Sequence, residues 1–277
     1  MSSCSRDKID LEGKFIKVLS KNKKYNIYTF DFNETINIDK NGDNYLITDK
    51  NGNKSIGTFE NNIISYNNCK ILIDIKHNLL IKTCNIKNKS FSNDYWPQKR
   101  VAAYLSNLKD IKYKEFINDY LSRYNGEGGF KIKVPEITDL NEKDKAHLDK
   151  SAIKTNPNYP FIALGDFNND NKYPDIATIT YPNTLNSLYE KEPYYMEKDK
   201  NLVNTSLGFF YAGSSKLIFF NFKEFYPFID SDGGIYINKN NEITAAKNLR
   251  ILNLKDWSGW DIKWNGRRHY AEYVNLH

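Results

Sequence analysis

No apolar run in the chain approaches the roughly 20 residues that a membrane-crossing helix requires, so the sequence contains no helical membrane span. Cysteine and histidine are scarce, with three and four copies in 277 residues. Neither a Cys-x-x-Cys pair nor a His-x-x-x-His spacing occurs, so the ligand patterns of zinc sites are missing. The Gly-x-Ser-x-Gly elbow, the phosphate loop and the dinucleotide fingerprint are also missing. Gly126-Glu127-Gly128-Gly129 lacks the Lys and the Ser or Thr that a phosphate loop needs. A basic stripe is lacking too. The net charge of +6 is spread as +4 over residues 1–96, +2 over 97–150 and zero over 151–277. A nucleic-acid reader gathers its Lys and Arg on one face. The densest basic run, Lys21-Asn22-Lys23-Lys24, reads as a solvated turn. A bias toward Lys, Asn, Ile and Tyr, as an AT-rich genome produces, accounts for the basic pI near 8.9. We therefore expect no nucleic-acid partner. With no nucleophile-and-base constellation visible, we also expect no catalysis.

Aromatic residues are plentiful, at 14% with 20 Tyr and 16 Phe, which excludes a disordered chain. Apolar residues at 40% and charged residues at 27% are ordinary for a globular protein. Length alone suggests one large or two small domains.

Residues 11–96 read as short strands separated by turns. The candidates are Lys14–Leu19, Tyr25–Phe32, Thr35–Ile38, Tyr45–Thr48, Ser55–Phe59, Ile63–Tyr66, Lys70–Ile75 and Leu79–Cys84. The separators Lys40-Asn41-Gly42-Asp43 and Lys50-Asn51-Gly52-Asn53 provide the positive φ of tight hairpins. The run Asp39-Lys40-Asn41-Gly42-Asp43-Asn44 begins like an EF-hand loop, but its twelfth position is Lys50 instead of Glu. It is read as a hairpin turn.

Near Trp96-Pro97 the pattern changes. Pro97 suits a helix start. Val101, Ala102, Leu105 and Leu108 then recur at helical spacing, and Phe116, Ile117, Tyr120 and Leu121 repeat it. A third, short helix is expected near Glu142–Ala152. From Pro160 strands return: Phe161–Leu164, Ile176–Tyr181, Ser206–Ala212, Lys216–Phe222, Gly234–Ile237, Leu249–Leu254, Asp261–Trp264 and His269–Val274. Trp264-Asn265-Gly266-Arg267 is a hairpin signal between the last two. The intervening loop 182–204 is long and has no assigned role.

The fold expected is mostly β, of the α+β kind. It comprises a tether over residues 1–10, a small antiparallel β sandwich or barrel over 11–96, a helical connecting segment over 97–156, and an antiparallel β-meander domain over 157–277.

Cys69 and Cys84 bracket two strand-like runs around Lys76-His77. In a two-residue hairpin, residues whose numbers sum to 153 face each other, and this pair does. Directly opposed residues at a non-hydrogen-bonded pair are close enough for a disulfide. Reduced cysteines in another register are the alternative. Cys4, in Ser2-Ser3-Cys4-Ser5, heads a short polar tether without an apolar h-region before it. It resembles the lipid-attachment cysteine of a mature bacterial lipoprotein. That likeness implies lipidation at Cys4, export to the periplasm or outer membrane, and contact with membrane through a lipid anchor at most.

One motif carries chemistry. Residues 164–177 read Leu-Gly-Asp-Phe-Asn-Asn-Asp-Asn-Lys-Tyr-Pro-Asp-Ile-Ala. Calcium takes six to eight hard oxygens in flexible geometry. Asp166, Asn168 and Asp170 alternate and so present oxygens to one side. A main-chain carbonyl near Lys172 adds another, and Asp175 closes the set from the next strand. Without metal, the same segment reads as a polar turn held by Asx hydrogen bonds.

The segment resembles the calcium loop of FG-GAP and VCBS repeats, of the form Gly-Asp-x-Asn-Gly-Asp-Gly-x-x-Asp before an apolar strand. Gly165, Asp166, Asn168, Asp170 and Asp175 match. Asn169 and Asn171 replace the usual glycines, and Lys172-Tyr173-Pro174 adds one residue before the last Asp. With one copy present, a several-bladed propeller is not expected. The resemblance implies a single FG-GAP/VCBS-like unit over about 158–277, a structural Ca2+ ion, and a non-catalytic exported protein that binds another protein.

Two other readings stand beside it. One is an immunity protein that neutralises a secreted bacterial toxin or effector. The other is a carbohydrate-binding protein or glycan-active enzyme, in which Trp257 and Trp260, flanked by Asp256 and Asp261, stack on a sugar.

Overall fold

The structure is a computed structural model that describes residues 11–87, 89–107, 112–122, 132–140, 142–148, 150, 159–182, 206–214, 218–221, 227–229, 234–253 and 258–275. Cys4, Trp257 and residues 183–205 lie outside these.

The first eight strands are β1 (Gly13–Asn22), β2 (Ile27–Asn41), β3 (Asn44–Asp49), β4 (Lys54–Glu60), β5 (Ile63–Tyr66), β6 (Cys69–Asp74), β7 (Leu79–Ile86) and β8 (Lys89–Pro97). They pair antiparallel with their sequence neighbours, and β8 and β2 both pair with β1. The sheet closes into an eight-stranded barrel. Closure removes the open edges that an antiparallel meander would otherwise present.

Asparagine makes the tight turns. Among the described residues, eight of the nine non-glycine residues with positive φ are Asn, including Asn61 and Asn62 between β4 and β5. The Asn side chain tolerates the left-handed region better than other residues with a Cβ. The Asp39–Asn44 segment is a hairpin turn, with Asn41 opposite Asn44 and Gly42 at φ +62°. Asp49 holds the next turn, accepting from the Asn51 and Asn53 amides at 2.9 Å each.

Inward residues alternate along each strand and fill the barrel. Phe15, Ile36, Ile38, Ile47, Ile64, Tyr66, Ile71, Ile73, Leu80 and Tyr95 form one buried cluster. Eight strands leave an interior just wide enough for such filling. At Gly57 a Cβ would stand 2.5 Å from Ile64 Cγ2 and 2.7 Å from Ile47 Cδ1, so glycine makes room for both isoleucines.

Two details differ from the sequence reading. The candidates Tyr25–Phe32 and Thr35–Ile38 are one strand, β2. Thr29, Phe30 and Asp31 are all buried, then exposed or partly buried residues 32–35 intervene before Ile36 and Ile38 are buried again, and that interruption reads as a break in sequence. The strand β8 was not foreseen, because Lys89–Asp94 is polar and its side chains are exposed or only partly buried. Pro97 therefore ends a strand, and helix α1 (Gln98–Ser106) begins directly after it. Val101, Ala102 and Leu105 are buried on α1. Tyr104, Trp96 and Phe30 meet in edge-to-face and tilted contacts at 5.4–6.1 Å.

The second group of elements is α2 (Tyr113–Leu121), β9 (Ile132–Lys133), α3 (Glu142–His147), β10 (Ile162–Gly165), β11 (Lys172–Tyr173), β12 (Asp175–Pro182), β13 (Ser206–Phe210), β14 (Ile218–Asn221), β15 (Pro227–Ile229), β16 (Ile235–Ile237), β17 (Ile243–Ala245), β18 (Leu249–Asn253), β19 (Ser258–Trp264) and β20 (His269–Asn275). An antiparallel sheet runs β10-β12-β13-β14, with β9 on the end of β12. A second runs β15-β18-β19-β20, and β16 pairs with β17. Ile176, Ala177, Thr178, Ile179 and Thr180 of β12 are all buried, as in a strand covered on both faces. Tyr113, Ile117 and Leu121 recur every fourth position on α2 and are buried. Phe116 and Tyr120 on the same helix meet Phe210 at 5.2 and 4.9 Å.

By contact density the described residues fall into two units. One comprises those of Met1–Ser20, Phe30–Ser106 and Ile237–Glu242, and the other those of Lys21–Thr29, Asn107–Tyr236 and Ile243–His277.

Candidate functional site

The loop between β10 and β12 is built from its own polar side chains. Gly165 pairs with Asp175 across the two strands. A Cβ at Gly165 would lie 2.5 Å from the Ala246 carbonyl oxygen, which fixes glycine at the loop entrance. The Asp166 amide donates to that same carbonyl at 2.8 Å. Asp166 is itself buried, and its carboxylate accepts from the Asp170 amide at 3.0 Å and the Asn171 amide at 3.1 Å. Asn168 Oδ1 accepts from the Asp170 amide at 3.3 Å. Asp170 accepts from the Lys172 amide at 2.9 Å and from Lys172 Nζ at 3.2 Å. Asn169 and Asn171 have φ of +54° and +57°, the left-handed region that favours glycine.

Asp175 is the anchor under the loop. Its Oδ2 accepts from the Phe167 amide at 2.7 Å and the Asn168 amide at 3.4 Å, and its Oδ1 from the Ala212 amide at 2.7 Å. Burial pushes its carboxyl up to about 8, against the pull of those donors. Burial raises Asp166 as well, against the pull of the Asn171 and Asp170 amides, while the charge of Asp170 adds a smaller push upward. Crowded carboxylates in a desolvated loop are the electrostatic situation that a bound dication relieves.

The structure thus brings Asp166, Asn168, Asp170 and Lys172 into one hydrogen-bonded turn, with Asp175 beneath it. Among the described residues, no three His, Cys, Asp or Glu side chains are gathered as a metal ion would need. The reason is local: each carboxylate faces backbone amides or Lys172. Asp166, Asn168 and Asp170 offer hard oxygens of the type calcium takes. Asp175 would join them only by releasing amide donors.

Sequence reasoning missed the group behind this loop. His269 Nε2 lies 2.9 Å from the Phe167 carbonyl oxygen, and Nδ1 lies 3.0 Å from the Tyr211 hydroxyl. A carbonyl only accepts, so Nε2 carries the proton and Nδ1 accepts from Tyr211. The imidazole stacks on Phe209 at 4.1 Å, and burial lowers its pKa. A buried histidine stacked on Phe209 therefore holds the loop backbone from β20. Its one sequence signal is its place after the Trp264–Arg267 hairpin. There the central pair is Gly266-Arg267, with Asn265 Oδ1 accepting from the Arg267 and Arg268 amides at 3.0 Å each.

The other predicted sites fall as follows. Cys69 and Cys84 are directly opposed on β6 and β7 and form a disulfide, with Cα atoms 4.1 Å apart. The turn is the expected one: the Asn78 amide bonds to the Ile75 carbonyl around Lys76-His77. Trp260 is partly buried and meets Tyr273 edge-on at 5.9 Å, while Tyr273 is 65% exposed. Asp261 is bound by Arg250, with Nε at 2.8 Å and Nη2 at 3.4 Å.

Set against known protein families, curated proteins and solved structures, the chain matches none of them.

Proposed function

We propose that the chain is a non-catalytic exported protein that binds another protein, with a calcium ion steadying the β10–β12 loop. Asp166, Asn168 and Asp170 would supply side-chain oxygens and Lys172 a main-chain carbonyl, with Asp175 closing the loop from below. The ion would act structurally, by joining carboxylates that otherwise repel. The Cys69–Cys84 disulfide supports export, because such bonds persist in oxidising compartments. A lipid anchor at Cys4 would place the chain in the periplasm or on the outer membrane.

The observation that carries the protein-binding reading is an apolar row on the outer wall of the barrel. Ile64, Ile71 and Leu80 point inward, so their strand neighbours Ile63, Leu72 and Ile81 point outward. These three are also cross-strand partners, Ile63 with Leu72 and Leu72 with Ile81. Leu72 is 42% exposed. Contiguous apolar surface on a soluble domain marks an interaction site more often than chance. The test places a photo-crosslinking residue at Leu72, and at exposed Lys40 as a control, in cells that export the chain. A discrete adduct at position 72 and none at position 40 is expected. Adducts at neither position, or at both alike, would contradict the reading.

A further inference from the structure

The disulfide end of the barrel interior contains polar groups that the packing leaves unmatched. Tyr66, Cys69 and Cys84 stand in one cross-strand row, and Lys82 follows on the inward face of β7, between Leu80 and Cys84. Tyr66 is 8% exposed, and its hydroxyl has no hydrogen-bond partner among the described residues. Lys82 Nζ lies 5.7 Å from the centre of the Tyr66 ring, on its face. No carboxylate among the described residues lies within ion-pair distance of that ammonium. A buried hydroxyl without a partner costs about 1–3 kcal/mol, so folded proteins rarely keep one without a use.

The nearby acids are committed elsewhere. Glu34 is paired with Lys50. Asp49 accepts from the Asn51 and Asn53 amides and from Asn53 Nδ2 at 3.0 Å. Asp31 accepts from the Asn33 amide at 3.1 Å. These acids still shape the field. Burial lowers the Lys82 pKa, while Asp49 and Glu34 act to raise it. Burial pushes the Tyr66 phenol up to about 12, and Asp49 adds to the shift. Burial raises the Tyr95 phenol, and Glu34, Tyr66 and Asp31 add to the shift.

We propose that this end of the barrel binds a small monocarboxylate, whose oxygens accept from the Lys82 ammonium and the Tyr66 hydroxyl. Two donors that have no hydrogen-bond acceptor among the described residues, one of them charged, match a group with two acceptor oxygens and one negative charge. A dianion fits less well, because Asp49 and Glu34 already act on the same ammonium. The ligand must also be small. Ile64, Ile71 and Leu80 fill the adjoining interior, which limits the room beside Tyr66 and Lys82, and barrel ligands commonly sit at an end of the barrel. The site is independent of the β10–β12 loop and of any metal there.

The test is thermal unfolding of the full chain in sodium acetate and sodium benzoate, against sodium chloride and sodium sulfate at equal ionic strength. A monocarboxylate that binds only the folded state raises the melting temperature saturably. Neither chloride nor sulfate does so. Tyr66→Phe and Lys82→Met each abolish the rise. In chloride, Tyr66→Phe melts at or above the wild-type temperature, because it removes a buried hydroxyl that bonds nothing. The proposal is overturned if neither carboxylate raises the melting temperature, if sulfate does so equally, or if both variants keep the rise. Melting of Tyr66→Phe well below wild type in chloride would also overturn it, by showing that the hydroxyl already has a partner.

Discussion

Asp175→Ala is expected to destabilise the fold by about 3–5 kcal/mol, the range for stripping a buried carboxylate from several backbone donors. The side chain is wholly buried, and it accepts from the Phe167 and Ala212 amides, each at 2.7 Å. These amides belong to separate segments, the β10–β12 loop and the turn after β13. The carboxylate therefore joins two stretches that have no mutual backbone pairing at those atoms. Alanine would leave both donors dry and open a cavity beneath the loop. Asp175→Asn keeps one acceptor oxygen but turns an amide nitrogen toward a donor, so it should recover only part of the loss. Urea unfolding of the three proteins gives the comparison. A loss below about 1 kcal/mol for alanine, the value of an ordinary surface contact, would show that Asp175 anchors nothing.

Loss of the disulfide is the second large effect. A bridge between residues 15 apart in sequence restricts the unfolded chain by about 3 kcal/mol at 25 °C. Cys69 also packs against the barrel core, so the bond ties the mouth of β6 and β7 to the buried cluster. The double variant Cys69→Ala, Cys84→Ala should unfold at lower urea by that amount. Reductant should shift the wild type toward the variant and leave the variant unmoved. An unfolding midpoint in the wild type that ignores reductant, together with freely alkylated thiols at both positions, would contradict this.

The physical reach of local signals explains what the sequence did and did not disclose. The β6–β7 register was legible because a two-residue turn forces a single pairing, and two cysteines marked it. Helices α1 and α2 were legible because Val101, Ala102 and Leu105, then Ile117 and Leu121, keep helical spacing and are buried. The choice between sandwich and barrel was not legible. It depends on β1 meeting both β2 and β8, and no local pattern records that closure. Strand β8 was hidden for another reason, since a strand with polar exposed side chains has no apolar alternation to read.

The site divides in the same way. Alternating Asp166, Asn168 and Asp170 were legible because a tight turn aims alternate residues to one side. The supports for that turn were not. Asp175 reaches an amide 37 residues away, and His269 reaches the Phe167 carbonyl 102 residues away. A polar residue that serves a distant backbone atom leaves no periodic trace. Lys82 was a similar case: it lies on the inward face between Leu80 and Cys84, yet in sequence it reads as an ordinary strand charge.

Whether calcium binds the β10–β12 loop is tested most directly by one measurement. Thermal unfolding is followed in EDTA, then in millimolar calcium, then in millimolar magnesium, for the wild type and for Asp166→Ala and Asp170→Ala. A calcium-selective rise in the wild-type melting temperature is expected, because an ion bound only by the folded state stabilises it. Magnesium should do little, since it demands tighter octahedral geometry and gives up its waters reluctantly. Both variants should lose the rise. Equal melting of the wild type in EDTA and calcium, with no metal found on the protein by elemental analysis, would contradict the account. So would a calcium response that survives in both variants, and the loop would then be a polar turn held by its own hydrogen bonds.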